Sequence, residues 1–122
     1  MPAIVTPTTL DESALARLRE LDPDGHHGVL QRVLTAYETS LARALSQLQE
    51  QQAAADAKTV AALAHMLKSS SASVGALALA AACAQVESRV RDGQTTDLRD
   101  DVGLLLAQGR AAQVAVGAML RP

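Results

Sequence analysis

Leu30, Leu34, Tyr37, Leu41, Ala44 and Leu48 recur at alternating spacings of four and three. That pattern is a long helix with one apolar seam sustained over several turns. Such a helix needs other amphipathic helices to cover its seam, because helix stability in water comes mainly from packing. The rest of the chain supplies them. Val60, Leu63, Ala64, Leu67 and Ser71 form one stripe, Leu79, Cys83, Val86 and Val90 a second, and Val102, Leu105, Leu106, Ala112, Val116 and Leu120 a third. Apolar residues are 48% of the chain and aromatics 1%, with neither Trp nor Phe. The core must therefore be aliphatic, and the abundant Ala, Leu, Gln, Glu and Arg favour helix.

Turn signals divide these stripes. Residues 1–8 carry two prolines and no period and read as a flexible arm, leaving 9–122 as one domain. Thr9-Leu10-Asp11-Glu12 has the form of a capping box and opens a short first helix to about Leu21, with Leu10, Leu15, Leu18 and Leu21 as its apolar positions. Asp22-Pro23-Asp24-Gly25 stops it. The second helix runs from about Gly28 to Gln52, and the next turn falls near Ala55-Asp56, with Asp56 as an N-cap. A serine-rich stretch ending at Gly75 closes the third helix, and Asp92-Gly93-Gln94 closes the fourth. The fifth starts at Leu98 and is weakened by Gly103, Gly109 and Gly117. Short loops between long helices make antiparallel neighbours. The expected fold is all-α: an antiparallel up-down four-helix bundle with a short additional N-terminal helix.

Several functions are disfavoured by what the chain lacks. A net charge of −2 gives no basic field for nucleic acid, and Tyr37 alone cannot build a stacking platform. No apolar run approaches a membrane span and no signal pattern opens the chain, so the expected location is the cytoplasm without membrane insertion. A single cysteine, Cys83, fits a reducing compartment and sits on an apolar stripe as a core residue. His26 and His27 have no Cys or Glu at ligand spacing and read as solvated; no metal site is expected.

His65 is different. On the third helix it lies roughly 140° from the centre of the buried stripe, with Lys68 roughly 60° away on the same face. Ala61, Ala62, Ser69 and Ala72 surround the pair, so little bulk obstructs an approaching partner. An imidazole on a rigid platform beside an ammonium suits nucleophilic chemistry, in which the ring accepts a phosphoryl group and gives it back. The neighbouring cation disfavours a second positive charge on the ring and can offset the charge of an attached phosphoryl group. No glycine-rich phosphate loop is present to hold ATP.

His65-Met66-Leu67-Lys68, followed by Ser71, Gly75-Ala76 and Leu79, resembles the signature of the histidine-containing phosphotransfer (HPt) domains of phosphorelays. The wider layout is similar from about Leu21 to Gly93. The resemblance implies an exposed phosphoacceptor at His65, an assisting Lys68, a docking face at Ala61, Ala62, Ser69 and Ala72, and Gly75 closing the helix hairpin. It further implies that Glu87, on the following helix, orients the ring through Nδ1–H and leaves Nε2 free; Gln85 and Arg89 are the next candidate neighbours of the site. The implied partners are response-regulator receiver domains and a hybrid sensor histidine kinase. Mg²⁺ belongs on the receiver, and no cofactor on this domain, which is expected to be a monomer without autokinase activity. The family commonly has Gly where this chain has Ser69, which is expected to narrow partner choice rather than abolish transfer. A histidine-kinase dimerisation domain usually has an acidic residue after its His, where Met66 stands here. The alternative from another class is a helical adaptor that binds receivers or other signalling proteins without phosphorylation.

Overall fold

A computed structural model describes residues 10–122, so the N-terminal arm and Thr9 lie outside the described residues. The described chain is five helices without a strand: α1 (Glu12–Glu20), α2 (Val29–Ala54), α3 (Ala57–Ser73), α4 (Leu77–Arg91) and α5 (Leu98–Leu120). Helices α2 to α5 form the bundle, in which α3 packs chiefly on α4 and α2 on α5. The expected all-α architecture is the observed one.

The seam residues named above form one continuous core. Leu34, Tyr37, Leu41, Ala44 and Leu48 of α2 meet Val60, Leu63, Ala64 and Leu67 of α3, Leu79, Cys83 and Val86 of α4, and Val102, Leu105, Leu106, Ala112 and Val116 of α5. Leu30, Val90 and Leu120, at the ends of their stripes, are half-buried against it. By length and mean hydropathy α5 does qualify as a membrane span, contrary to the reading of the bare chain. Its apolar stripe is taken up by the bundle core.

Helix ends follow side-chain chemistry, with some departures from expectation. Asp11 caps α1: its carboxylate accepts the Ala14 N–H at 3.1 Å, which places Glu12 at the first helical position rather than the third, while Thr9 itself lies outside the described residues. Leu21 closes α1 and is 71% exposed instead of facing the core. Gly28 has no side chain to cap α2, and Asp22 does this from across the loop. It accepts main-chain N–H groups of His27 (3.1 Å) and Val29 (3.3 Å). Burial works to raise the Asp22 pKa, but these donors outweigh it and hold it below the ordinary carboxylate value.

The α2–α3 turn lies where expected, although no Gly makes it. Ala55 adopts a left-handed conformation (φ 45°, ψ 47°), and Asp56 caps α3 through the Thr59 N–H. Such a conformation disfavours a residue with a Cβ. Contacts on each side hold it there: Gln51 Oε1 accepts the Asp56 N–H at 2.8 Å, and Arg99 of α5 donates to the carbonyls of Gln52 and Ala53.

Candidate functional site

The site is built by the α3–α4 hairpin. α3 ends in a Schellman motif, in which Ala76 N–H bonds Ser71 O at 2.8 Å and Gly75 N–H bonds Ala72 O at 3.2 Å. Gly75 has φ +83°, so it does close the hairpin, but it also has a use the sequence did not reveal. Its carbonyl accepts the Asp11 N–H at 2.9 Å, and a Cβ at this position would lie 2.5 Å from that nitrogen. The missing side chain is where the start of α1 is seated. The tight turn lays α4 antiparallel to α3, bringing Glu87 opposite His65 and Lys68.

His65 stands on the solvent face of α3 with its side chain 71% exposed. Nδ1 lies 2.5 Å from Glu87 Oε2, and Lys68 Nζ donates to Glu87 Oε1 at 2.5 Å. The carboxylate is the centre of the site: each oxygen holds one of the two cation-forming groups. The Glu87 pKa is lowered, first by the hydrogen bond from Lys68 and then by that from His65, so the acceptor stays ionised through neutral pH. An ionised carboxylate can only accept, so a neutral ring carries its proton on Nδ1 and presents Nε2 as an unprotonated lone pair.

Lys68 therefore sits differently from the sequence expectation. It is on the expected face, but its hydrogen-bond partner is the Glu87 carboxylate rather than the ring. Around the pair, Ala62, Ser69 and Ala72 are exposed and Ala61 is half-buried, so the low-relief face predicted from spacing is present. Exposed Met66 and the neighbouring Leu63 line a shallow depression of about 420 Å³ beside Ala62, between α2 and α3. Gln85 is exposed on α4. Arg89 turns away to Asp101 of α5 and bonds neither His65 nor Lys68, which removes it as a neighbour of the ring.

Below the exposed face two buried groups support α3. Tyr37 OH and Ser71 Oγ are 2.8 Å apart, and both residues are buried. Spacing had placed Ser71 on the buried stripe; that Tyr37 satisfies its hydroxyl emerges only in three dimensions. Cys83 is fully buried, and burial, with Glu87 adding and Lys68 opposing, pushes its thiol up to about 12, which leaves no thiolate at neutral pH. His27 lies in the α1–α2 loop with its Nδ1 3.2 Å from Asp22 Oδ1. No group of three or more metal-ligating side chains converges among the described residues.

The family model described as the Hpt domain matches residues 32–115, which include the whole of α3 and α4. No curated protein matches the chain. Among solved structures, the histidine-containing phosphotransfer protein B (HptB) of Pseudomonas aeruginosa PAO1 is similar to it with a TM-score of 0.78. The likeness spans 96% of this chain and 97% of that one at 22% identity, and shows a shared fold.

Proposed function

Because the chain belongs to the Hpt domain family, the histidine phosphotransfer modules of phosphorelays, we propose that His65 is its phosphoacceptor, charged by the aspartyl phosphate of one receiver domain and discharged to another. The observation that carries this reading is the exposed imidazole whose Nδ1 is held by Glu87, leaving Nε2 toward solvent.

The Nε2 lone pair attacks the phosphorus, the bond from phosphorus to the acyl oxygen breaks, and the receiver aspartate departs as a carboxylate. Nδ1–H remains bonded to Glu87, whose charge stabilises the positive ring of the phosphorylated state. Lys68, one turn along α3, offsets the charge that arrives with the phosphoryl group. Phosphoryl transfer demands mainly alignment and charge compensation. A rigid helix with small flanking residues supplies the first, and the receiver, with its Mg²⁺, supplies much of the second. Ala61, Ala62, Ser69 and Ala72 are the surface on which the receiver rests, and Ser69 narrows the choice of partner.

Incubation with a ³²P-labelled phosphorylated receiver tests the proposal. Acid-labile, base-stable label is expected on the wild-type domain and none on His65→Gln. Equal labelling of the His65→Gln protein refutes the assignment. Binding of the receiver without any label on the wild type would make the domain an adaptor instead.

A further inference from the structure

Asp101 is the one buried acidic residue among the described residues, with its side chain only 3% exposed on α5. Its Oδ1 accepts a hydrogen bond from Arg89 Nη1 of α4 at 2.5 Å, while Oδ2 is buried without a hydrogen-bond partner among the described residues. A half-satisfied buried carboxylate is a poor stabilising device, since apolar side chains of similar volume often serve as well or better. Its placement suggests another use. Arg89 follows Glu87 by two residues, which is about 200° of helix rotation and 3 Å of rise. The two side chains therefore leave α4 on nearly opposite sides, Glu87 toward α3 and Arg89 toward α5. The buried face of α4 between them is built of Leu79, Ala82, Cys83 and Val86, with small side chains at its centre. Apolar contacts are non-directional, so an ion pair on the α5 side of that face adds a directional constraint on the rotation of α4.

We infer that Asp101 is a positioning residue for His65: by anchoring Arg89 it sets the rotation of α4, and so holds Glu87 within reach of the imidazole. This rests on His65 being the phosphoacceptor. A rotation of about 15° moves a group about 6 Å from the axis by about 1.5 Å. That displacement stretches a 2.5 Å contact beyond useful hydrogen-bond length. Nδ1–H then loses its acceptor, the ring populates both tautomers, and part of the protein carries a proton on the atom that must attack.

The test compares wild type with the Arg89→Met/Asp101→Leu double variant and with Asp101→Asn, which keeps an acceptor for Arg89. Ring ¹⁵N chemical shifts give the Nδ1–H tautomer fraction of His65, phosphoramidate serves as a small phosphoryl donor, and urea midpoints report folding. The double variant is expected to keep its urea midpoint while its tautomer fraction falls and its labelling rate drops about tenfold. Asp101→Asn is expected to restore both. A folded double variant with the wild-type tautomer fraction and rate overturns the inference. If the double variant does not fold, Arg89→Ala/Asp101→Asn replaces it, which removes the link between α4 and α5 without leaving a buried charge unpaired; an unchanged tautomer fraction there overturns the inference equally. The tautomer measurement needs no donor, so a wild type that takes no label refutes the phosphoacceptor reading separately from the positioning of the ring.

Discussion

Gly75→Ala tests whether the hairpin glycine serves α1 as well as the α3–α4 turn. At φ +83° an L-residue with a Cβ incurs about 1–2 kcal/mol of conformational strain. The new methyl would also lie 2.5 Å from Asp11 N and 2.9 Å from Asp11 O, both main-chain atoms that no rotamer change can move. The start of α1 must then shift, and the Asp11 N–H to Gly75 O bond, about 1 kcal/mol, goes with it. Leu10 and Leu15, 8% and 3% exposed, lose part of their burial, at up to about 1.5–3 kcal/mol each if α1 undocks fully. Urea denaturation should show a loss of about 3–5 kcal/mol, and amide exchange should accelerate in Glu12–Glu20 more than in α2 or α5. Gly75→Asn separates the two contributions, because Asn tolerates the left-handed region yet still carries the clashing Cβ. It should recover about 1 kcal/mol and leave the α1 exchange fast. A loss below about 0.5 kcal/mol for Gly75→Ala, or unchanged exchange in α1, would refute this account of the residue.

Other expectations concern the site and the core. The Glu87 pKa is lowered in the folded protein from an ordinary 4.5, so its bonds to Lys68 and His65 contribute stability above that pH and lose it as pH falls through the lower folded value. Acid titration of the wild type should therefore show a loss below about pH 4.5 that is smaller in Glu87→Gln. Tyr37→Phe strands the buried Ser71 hydroxyl and should cost about 1–3 kcal/mol by urea denaturation, whereas Tyr37→Phe/Ser71→Ala should recover most of it. Gly109→Ala would gain helix propensity of about 1 kcal/mol in open solvent. Here its Cβ would fall 2.4 Å from Leu45 Cδ2, so a net loss of about 1–2 kcal/mol in thermal or urea unfolding is expected.

The helices were legible because the core is nearly pure Leu, Val and Ala at helical spacing, so little competes with periodicity. His65 and Lys68 were legible for a related reason, since one face of α3 is stripped of bulk; Glu87 came only from the resemblance to the HPt domains, because spacing alone does not say which residue of the next helix lies opposite. What escaped was information that belongs to pairs of segments. Lys68 was placed beside the ring, but its partner depends on which oxygens of Glu87 point where. Gly109 read as a helix weakness because the Leu45 methyl that fills its space lies on α2. The spacing of Thr9 and Glu12 matched a capping box, but Asp11, two residues on, carries an acceptor of its own and supplies the cap. The turn near Ala55 was legible but its left-handed backbone was not, because contacts from Gln51 and Arg99, not the chemistry of Ala55, hold it there. Leu21, the last apolar position of its run, lies beyond the short stretch of α1 that touches the bundle.

Glu87 bonds His65 with one oxygen and Lys68 with the other. Ring geometry and local electrostatics are thus wired to a single carboxylate, and a substitution that removes both its oxygens disturbs them together, whereas Glu87→Gln would keep one acceptor for the ring and give up the charge that Lys68 meets. Ser69, Ala62 and Ala72 are exposed beside the triad and touch none of its three polar groups by hydrogen bond, so substitutions there leave that wiring in place.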